Sequence, residues 1–592
     1  MALGGRWDGF PEGAEIVSAD FEYERGLDYG EPPKPLCGCW KSLSSGREVK
    51  LWRDQLRGLS RPPFSTGRET ILLAYSASAE LACYRVLGWP VPHRVLDLHA
   101  EFRAIVNDGV RKPKGYHSLL GALSYYGVAG LDAGLKDAMR DRIQQGGPIT
   151  PKEKQEILRY CLSDVLATIR LFEAMASNIN WPQALLRGSY LIPIAAMEVA
   201  GIPLDADLWS RLMLVWEPLK RRLIEVVDRN FHVFEGTTFK RGRFIELLKH
   251  RGVFSWPCEN GIPLLDAETF EEQCHIYPWL RPLHELRQTL SELRLSGLAI
   301  GSDGRNRTSL FPFSTLTGRN APSNAKFIFG PAVWLRGLMR PPPGHVLVYL
   351  DWVAQEIAIA AAFSGDPAMI ADYKTGDPYI AFAIRAGLIP PGSTKHTHPE
   401  IRERCKVATG LGANYGLGAV GLGRRLGILT AEARELLDMH RATYRQFWRW
   451  VQAVIDTAQI DERIVSEFGW PLRVTSRTKP NTLRNYKMQS GGADMLRIAL
   501  IAAVERNLPI VAPVHDAILM CSPINKVEEH TAELRECMKL AGLAVTRGIL
   551  EVFTEDTPYP DRYADPRGAR MWDIVLELLA ELEQQPAPLP VA

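Results

Sequence analysis

Two hydrophobic patterns divide the chain: short apolar runs that suit strands, and longer stretches with apolar positions three or four apart that suit helices. Both occur between about residues 14 and 180, where the run Thr70–Ala74 predicts a strand and residues 157–172 a helix. A segment at 178–193 leads into long helical patterns, broken by Pro and Gly clusters, that continue to about residue 310. After Pro341-Pro342-Pro343-Gly344 the alternation returns. Strand-like runs at 345–350 and 510–520 are interspersed with helical patterns at 355–364, 431–460 and 488–505. This order predicts two α/β units, the second larger, joined by a mostly helical region.

Composition narrows the class. A chain of 592 residues exceeds one hydrophobic core and implies roughly three to five domains or subdomains. Apolar residues make up 46% and charged residues 23%, as in ordinary globular proteins. No segment of about 18 uncharged apolar residues is present, so no membrane span is expected. The first 13 residues lack an apolar signal core, which points to a cytoplasmic location. The nine cysteines suit reduced structural thiols, because Cys37-Gly-Cys39 has neither zinc-site nor disulfide-framework spacing. Net charge is only +2. The clusters Lys220-Arg221-Arg222 and Lys240, Arg241, Arg243, Lys249 and Arg251 read first as solvated helix faces, with phosphate tracking as the alternative. The tail Gln584-Gln585-Pro586-Ala587-Pro588 reads as disordered.

Candidate chemistry lies at the ends of the apolar runs. In Val348-Tyr349-Leu350-Asp351-Trp352 an aspartate stands where a strand ends and a helix begins, a place where a carboxylate can leave the core and meet a cation. His515-Asp516 interrupts the run at 510–520, where a hairpin turn would expose them; burying that charge unpaired would be costly. Alone, each reads as an isolated strand-end or turn aspartate; together they could hold two Mg²⁺ ions. Near the N-terminus, Ala19-Asp20-Phe21-Glu22 places two carboxylates on one face of a strand, and Tyr160-Cys161-Leu162-Ser163-Asp164 sets a phenol and a carboxylate one helical turn apart.

The ordered set Thr317-Gly318-Arg319, Asp351 with Glu356, Arg402 with Lys406, Asn414-Tyr415-Gly416, Met488-Gln489 and His515-Asp516 resembles family A DNA polymerases over about residues 185–575. The segments 468–473 and 483–489 look like those of the phage-type members. The resemblance implies that Asp351 and Asp516 are metal ligands and that Arg402 and Lys406 meet an incoming triphosphate. It also implies that Glu356 blocks a ribose 2′-hydroxyl, that Tyr415 stacks near the templating base, and that Arg319 and Gln489 read the minor groove, with His515 beside the substrate. Two departures stand out: Lys406 and Tyr415 are nine residues apart where the family usually has eight, and Ala517 replaces the family's common glutamate after His-Asp.

Asp20, Glu22, Tyr160 and Asp164 resemble the 3′→5′ exonucleases built on four acidic residues and a tyrosine. The family's third carboxylate has no obvious match; Glu80 is the choice, following the strand Thr70–Ala74, and Asp97 is the competitor. The fold implied is an RNase H-like exonuclease domain at 14–180, after an N-terminal segment at 1–13, followed by a right-hand polymerase at 181–592. Its thumb would span about 200–310, its palm 311–365 and 465–575, and its fingers 366–464. Only about 13 residues precede the exonuclease strand, which leaves no room for a 5′-nuclease domain. Implied cofactors are two Mg²⁺ per site, with Mn²⁺ accepted by the same all-oxygen ligands; implied partners are primer-template DNA and dNTPs. A monomer acting with or without accessory replication proteins fits this reading. The alternatives are a nuclease whose second unit only holds DNA, and a DNA-binding accessory protein without catalysis.

Overall fold

Strand β1 (Glu15–Glu24) buries Ile16 to Ala19, then alternates half-buried Asp20, buried Phe21 and half-buried Glu22. The computed structural model describes residues 10–584 apart from 25, 130–132, 260, 293–296 and 331; the expected N-terminal segment thus lies largely outside the described residues, as does most of the expected disordered tail. β1 pairs antiparallel with β2 (Lys34–Ser42), which pairs antiparallel with β3 (Glu48–Trp52). On its other side it pairs parallel with β4 (Thr70–Ala74), and β4 pairs parallel with β5 (Arg94–Asp97). The sheet order is β3-β2-β1-β4-β5. β4 is buried at all five positions, as a parallel strand covered on both faces must be. Helix α1 (Ser78–Val86) follows β4, α2 (Leu98–Ile105) follows β5, and α3 (Pro151–Met175), opened by a Thr150/Glu153 capping box, lies across β1 and β2.

Helix α4 (Trp181–Ala200) joins the two units. It packs on α1 and β5 of the first unit and on elements of the second. A Cβ on Gly188 would stand 1.8 Å from the Val95 carbonyl oxygen, so only glycine lets the helix lie this close to β5. The helical region that follows includes helices Ala206–Leu214, Trp216–Asp228 and Arg241–His250. The C-terminal helix Ala569–Gln584 packs back on Trp216–Asp228, with Arg211 gripping Glu583 through two hydrogen bonds of 2.6–2.7 Å.

The second unit has a four-stranded antiparallel sheet among the described residues. β6 (His345–Trp352) lies between β8 (Ala517–Pro523) and the edge strand β9 (Thr554–Tyr559), with β7 (Ile510–Val514) beyond β8. Helix α5 (Gln355–Ser364) follows β6, α6 (Pro399–Val407) lies in the helical insertion, and α7 (Pro480–Glu505) crosses beneath. The single helix expected at 431–460 is two, Thr430–Thr443 and Arg445–Ile460. They break at Tyr444, whose buried hydroxyl donates to Asp372 Oδ2 at 2.8 Å. Among the described residues no helix is long and apolar enough to cross a membrane. All nine cysteines are free, and eight are buried.

Two candidate carboxylate centres

The register of the second sheet assembles the first centre. Asp351 lies opposite Ala517 on one side and Glu555 on the other. The β7–β8 hairpin turns at His515-Asp516, with His515 at φ +55°, and the Asp516 carbonyl accepts from the Trp352 N–H at 3.3 Å. Burial, then the neighbouring Asp516 and Glu555 charges, push the Asp351 carboxyl up to about 8. Burial likewise raises Asp516 and holds the His515 imidazole below its ordinary value. Asp351 Oδ1 is buried without a hydrogen-bond partner. Such a pair costs free energy unless a cation neutralises it, so these residues fit a divalent metal.

The turn after Asp351 is pinned. Val353 donates to the Phe553 carbonyl at 2.8 Å, Tyr373 donates to the Val353 carbonyl at 2.8 Å, and Ala354 adopts φ +46° ahead of α5. Glu356 therefore starts a helix within reach of other candidates. Arg319 Nη2 and the Tyr415 hydroxyl both donate to Glu356 Oε1, each at 3.0 Å. Gln489 lies beside the Tyr415 hydroxyl, whose pKa is raised by burial and then by the Glu356 charge. A Cβ on Gly492 would meet Gln355 Oε1 at 2.3 Å and Arg319 Nη2 at 3.5 Å, so glycine on α7 leaves the room this cluster occupies.

Arg402 and Lys406 share α6. Arg402 pairs with Asp377 at 2.5 Å and lies over the Tyr379 ring, while Lys406 is half exposed, 3.9 Å from Glu403. Between Lys406 and Tyr415 runs a π-helical stretch, Ala408–Asn414, closed by Tyr415 N–H to the Gly410 carbonyl at 3.1 Å. A π turn holds one residue more than an α turn. The stretch falls within the long spacing read from the sequence.

The second centre lies on β1. Ligand atoms of Asp20, Glu22 and Asp164 come within 4.8 Å of one another. Asp20 and Glu22 share a face because Phe21 points away into a cage of Trp40, Tyr84 and Trp89, and a register shift after Glu22 ends the regular pairing. Asp164 is buried on α3, and burial followed by the Asp164, Glu22 and Asp20 charges raises the Tyr160 phenol one turn earlier. Glu80, in the first turn of α1, is outside that three-residue cluster but buried beside it. Burial and then Asp20 push its pKa well up, and its Oε2 has no hydrogen-bond partner. Asp97 is different. Its carboxylate caps α2 and accepts from the N–H groups of Ser76, Ala77, His99 and Ala100 at 2.7–3.3 Å, which saturates it.

Glu555, Gln355 and Asp377 are site neighbours that sequence reading did not single out. Lys220 pairs with Glu217, Arg222 with Glu225 and Glu581, and Lys240 with Glu235, as solvated faces do.

The fold of the whole chain has a counterpart among solved structures: the POL domain of Pol1 from M. smegmatis, in complex with DNA primer-template and dNTP. It aligns at TM-score 0.67 over 95% of this chain and 96% of that one, at 18% identity. The sequence places a domain within that fold. Residues 279–552 match the model of DNA polymerase family A. Relatives include DNA polymerase I of Chloroflexus aurantiacus, 25% identical over 64% of this chain and 44% of the relative. Another is the DNA polymerase of Mycobacterium phage D29, 28% identical over 46% of this chain and 40% of the relative. The chain thus spans less than half the length of each of these two relatives.

Proposed function

We propose that this chain is a template-directed DNA polymerase of the phage type, acting in replication, that carries its own 3′→5′ proofreading exonuclease in an RNase H-like unit at 14–180. The carrying observation is the meeting of Asp351 and Asp516, two half-buried carboxylates distant in sequence and both raised by burial, Asp351 by the Asp516 charge as well, inside the stretch that matches family A polymerases. When bound, paired divalent ions, Mg²⁺ or Mn²⁺, would neutralise phosphate charge and favour deprotonation of the attacking oxygen. Asp351 and Asp516 would hold them in one unit, and Asp20, Glu22, Asp164 and Glu80 in the other.

The remaining roles belong to the chain's own groups. Arg402 and Lys406 offer cationic partners to the triphosphate of a dNTP, Arg402 by exchanging Asp377 for phosphate oxygens. Glu356, held by Arg319 and Tyr415, walls the space beside the sugar. Arg319 and Gln489 present donors to minor-groove acceptors, which occupy similar positions in every base pair and so test pair shape without reading sequence. Tyr160 orients the attacking water in the exonuclease unit.

Primer extension on a primer-template with dNTPs and Mg²⁺, beside degradation of single-stranded DNA, tests this reading. Extension lost in Asp351→Asn with degradation retained supports it. Absence of extension by the unaltered chain refutes it.

A further inference from the structure

We propose that residues 103–107 of the first unit act as a brace that positions Arg319, so that grip on a correctly paired primer end in the second unit depends on the first. This inference rests on the polymerase reading above. The loop at 311–319 that delivers Arg319 is strained: Phe311 and Phe313 adopt φ +45° and +58°, a region bulky residues avoid unless their surroundings hold them there. Much of what holds the loop comes from the first unit. Arg103 donates to the carbonyls of Phe313 at 2.9 Å and Ser314 at 3.0 Å. Asn107 Nδ2 donates to Leu316 at 2.8 Å and Pro471 at 2.7 Å, and the Asn107 carbonyl accepts from the Arg473 N–H at 2.8 Å.

The brace is itself anchored. Glu101, on the same helix α2, makes a bidentate pair with Arg187 of α4 at 2.6 and 2.7 Å, both side chains buried. From the loop the path to Arg319 is short. Trp470 donates to the Leu316 carbonyl at 2.9 Å and stacks on Phe313, and its indole would lie 3.0 Å from a Cβ on Gly318. The Thr315 hydroxyl accepts from the Arg319 N–H at 2.9 Å. A cavity of about 140 Å³ lined by Arg103, Asn107, Phe313, Leu316 and Trp470 runs along this seam. The directional hydrogen bonds and the Phe313–Trp470 stack together set the geometry of the seam.

The test is a double-mutant cycle between Asn107→Asp, which keeps the side-chain shape and removes both donors, and Arg319→Ala. Extension from matched and mismatched primer ends is measured in an Asp20→Ala background, where degradation is removed; single-strand degradation is measured with Asp20 intact. Asn107→Asp should lower matched extension roughly three- to tenfold, as loss of such bonds predicts. It should narrow the matched-to-mismatched ratio, leave single-strand degradation unchanged, and add no further loss on top of Arg319→Ala. Arg103→Ala should behave alike, which guards against one ill-folded variant. An equal fold-loss in the presence and absence of Arg319, or an unchanged matched-to-mismatched ratio, overturns the brace. An Asp20→Ala protein that extends no primer at all instead refutes the polymerase reading.

Discussion

The two carboxylate centres differ in how they are made. On β1, Asp20 and Glu22 are brought together by a period of two along one strand, and a single helical approach adds Asp164 within 4.8 Å. Asp351 and Asp516 are strangers in sequence, joined by the register of β6 on β8 and by a turn in which His515 takes a left-handed conformation. Their surroundings differ too. The β1 centre collects carboxylates and a phenol, whereas Glu356, near the β6 centre, is already held by Arg319 and Tyr415. A centre with two ligands fixed on one strand is less sensitive to changes elsewhere; one built from register and loops depends on everything that sets them.

The largest expected effect separates the two centres outright. Asp351→Asn or Asp516→Asn should lower primer extension roughly a thousandfold or more while sparing single-strand degradation, and Asp20→Ala should do the reverse. Equal loss of both activities in any one variant would merge what are here two sites.

Next in size is the contrast between Glu80 and Asp97. Glu80→Ala should cut single-strand degradation by about 10- to 100-fold with little change in thermal stability, if it serves metal binding. Asp97→Ala should instead cost about 1–3 kcal/mol of stability, measured by denaturant unfolding, because it strands backbone N–H groups at the start of α2 and before α1. Degradation retained in Glu80→Ala and lost in a stably folded Asp97→Ala would exchange their roles.

A smaller effect is expected at Glu356. Replacing it with Ala should raise the rNTP-to-dNTP incorporation ratio by roughly tenfold, the order of one lost steric or polar discrimination. An unchanged ratio would leave Glu356 as the residue that merely joins Arg319 to Tyr415.

The smallest concerns Glu198, which lies on α4 between the two units. Burial raises its carboxyl to about 8, and the Leu310 N–H donates to its Oε1 at 2.8 Å. A carboxyl whose folded pKa is raised contributes stability in full below its ordinary value of 4.5, and that contribution is lost as the pH rises through about 8. Unfolding measured from pH 5 to 9 should therefore show the native chain losing stability relative to Glu198→Gln. A constant difference across that range would place the carboxyl in ordinary titration.

Local signals determined much of this molecule. Strand β4 was legible because four apolar residues in a row, Ile71 to Ala74, suit a strand buried on both faces, and the Asp20/Glu22 pair because alternation fixes which side chains share a face. The turn at His515-Asp516 was legible because a polar pair interrupts an apolar run. Tertiary structure decided the rest. Glu555 sits on an edge strand whose side chains are mostly exposed, so no apolar alternation marks it, and only pairing with β6 brings it opposite Asp351. The helix break at Tyr444 coincides with a buried hydroxyl that reaches Asp372, 72 residues away in sequence. Glu80 was preferred to Asp97 in the sequence for its place after the strand and its distance from Asp20; only the structure adds that Asp97 already has its backbone partners. Periodicity reports which face a residue occupies; which faces meet is set by register, turn conformation and hydrogen-bond saturation, and those exist only once distant segments are packed together.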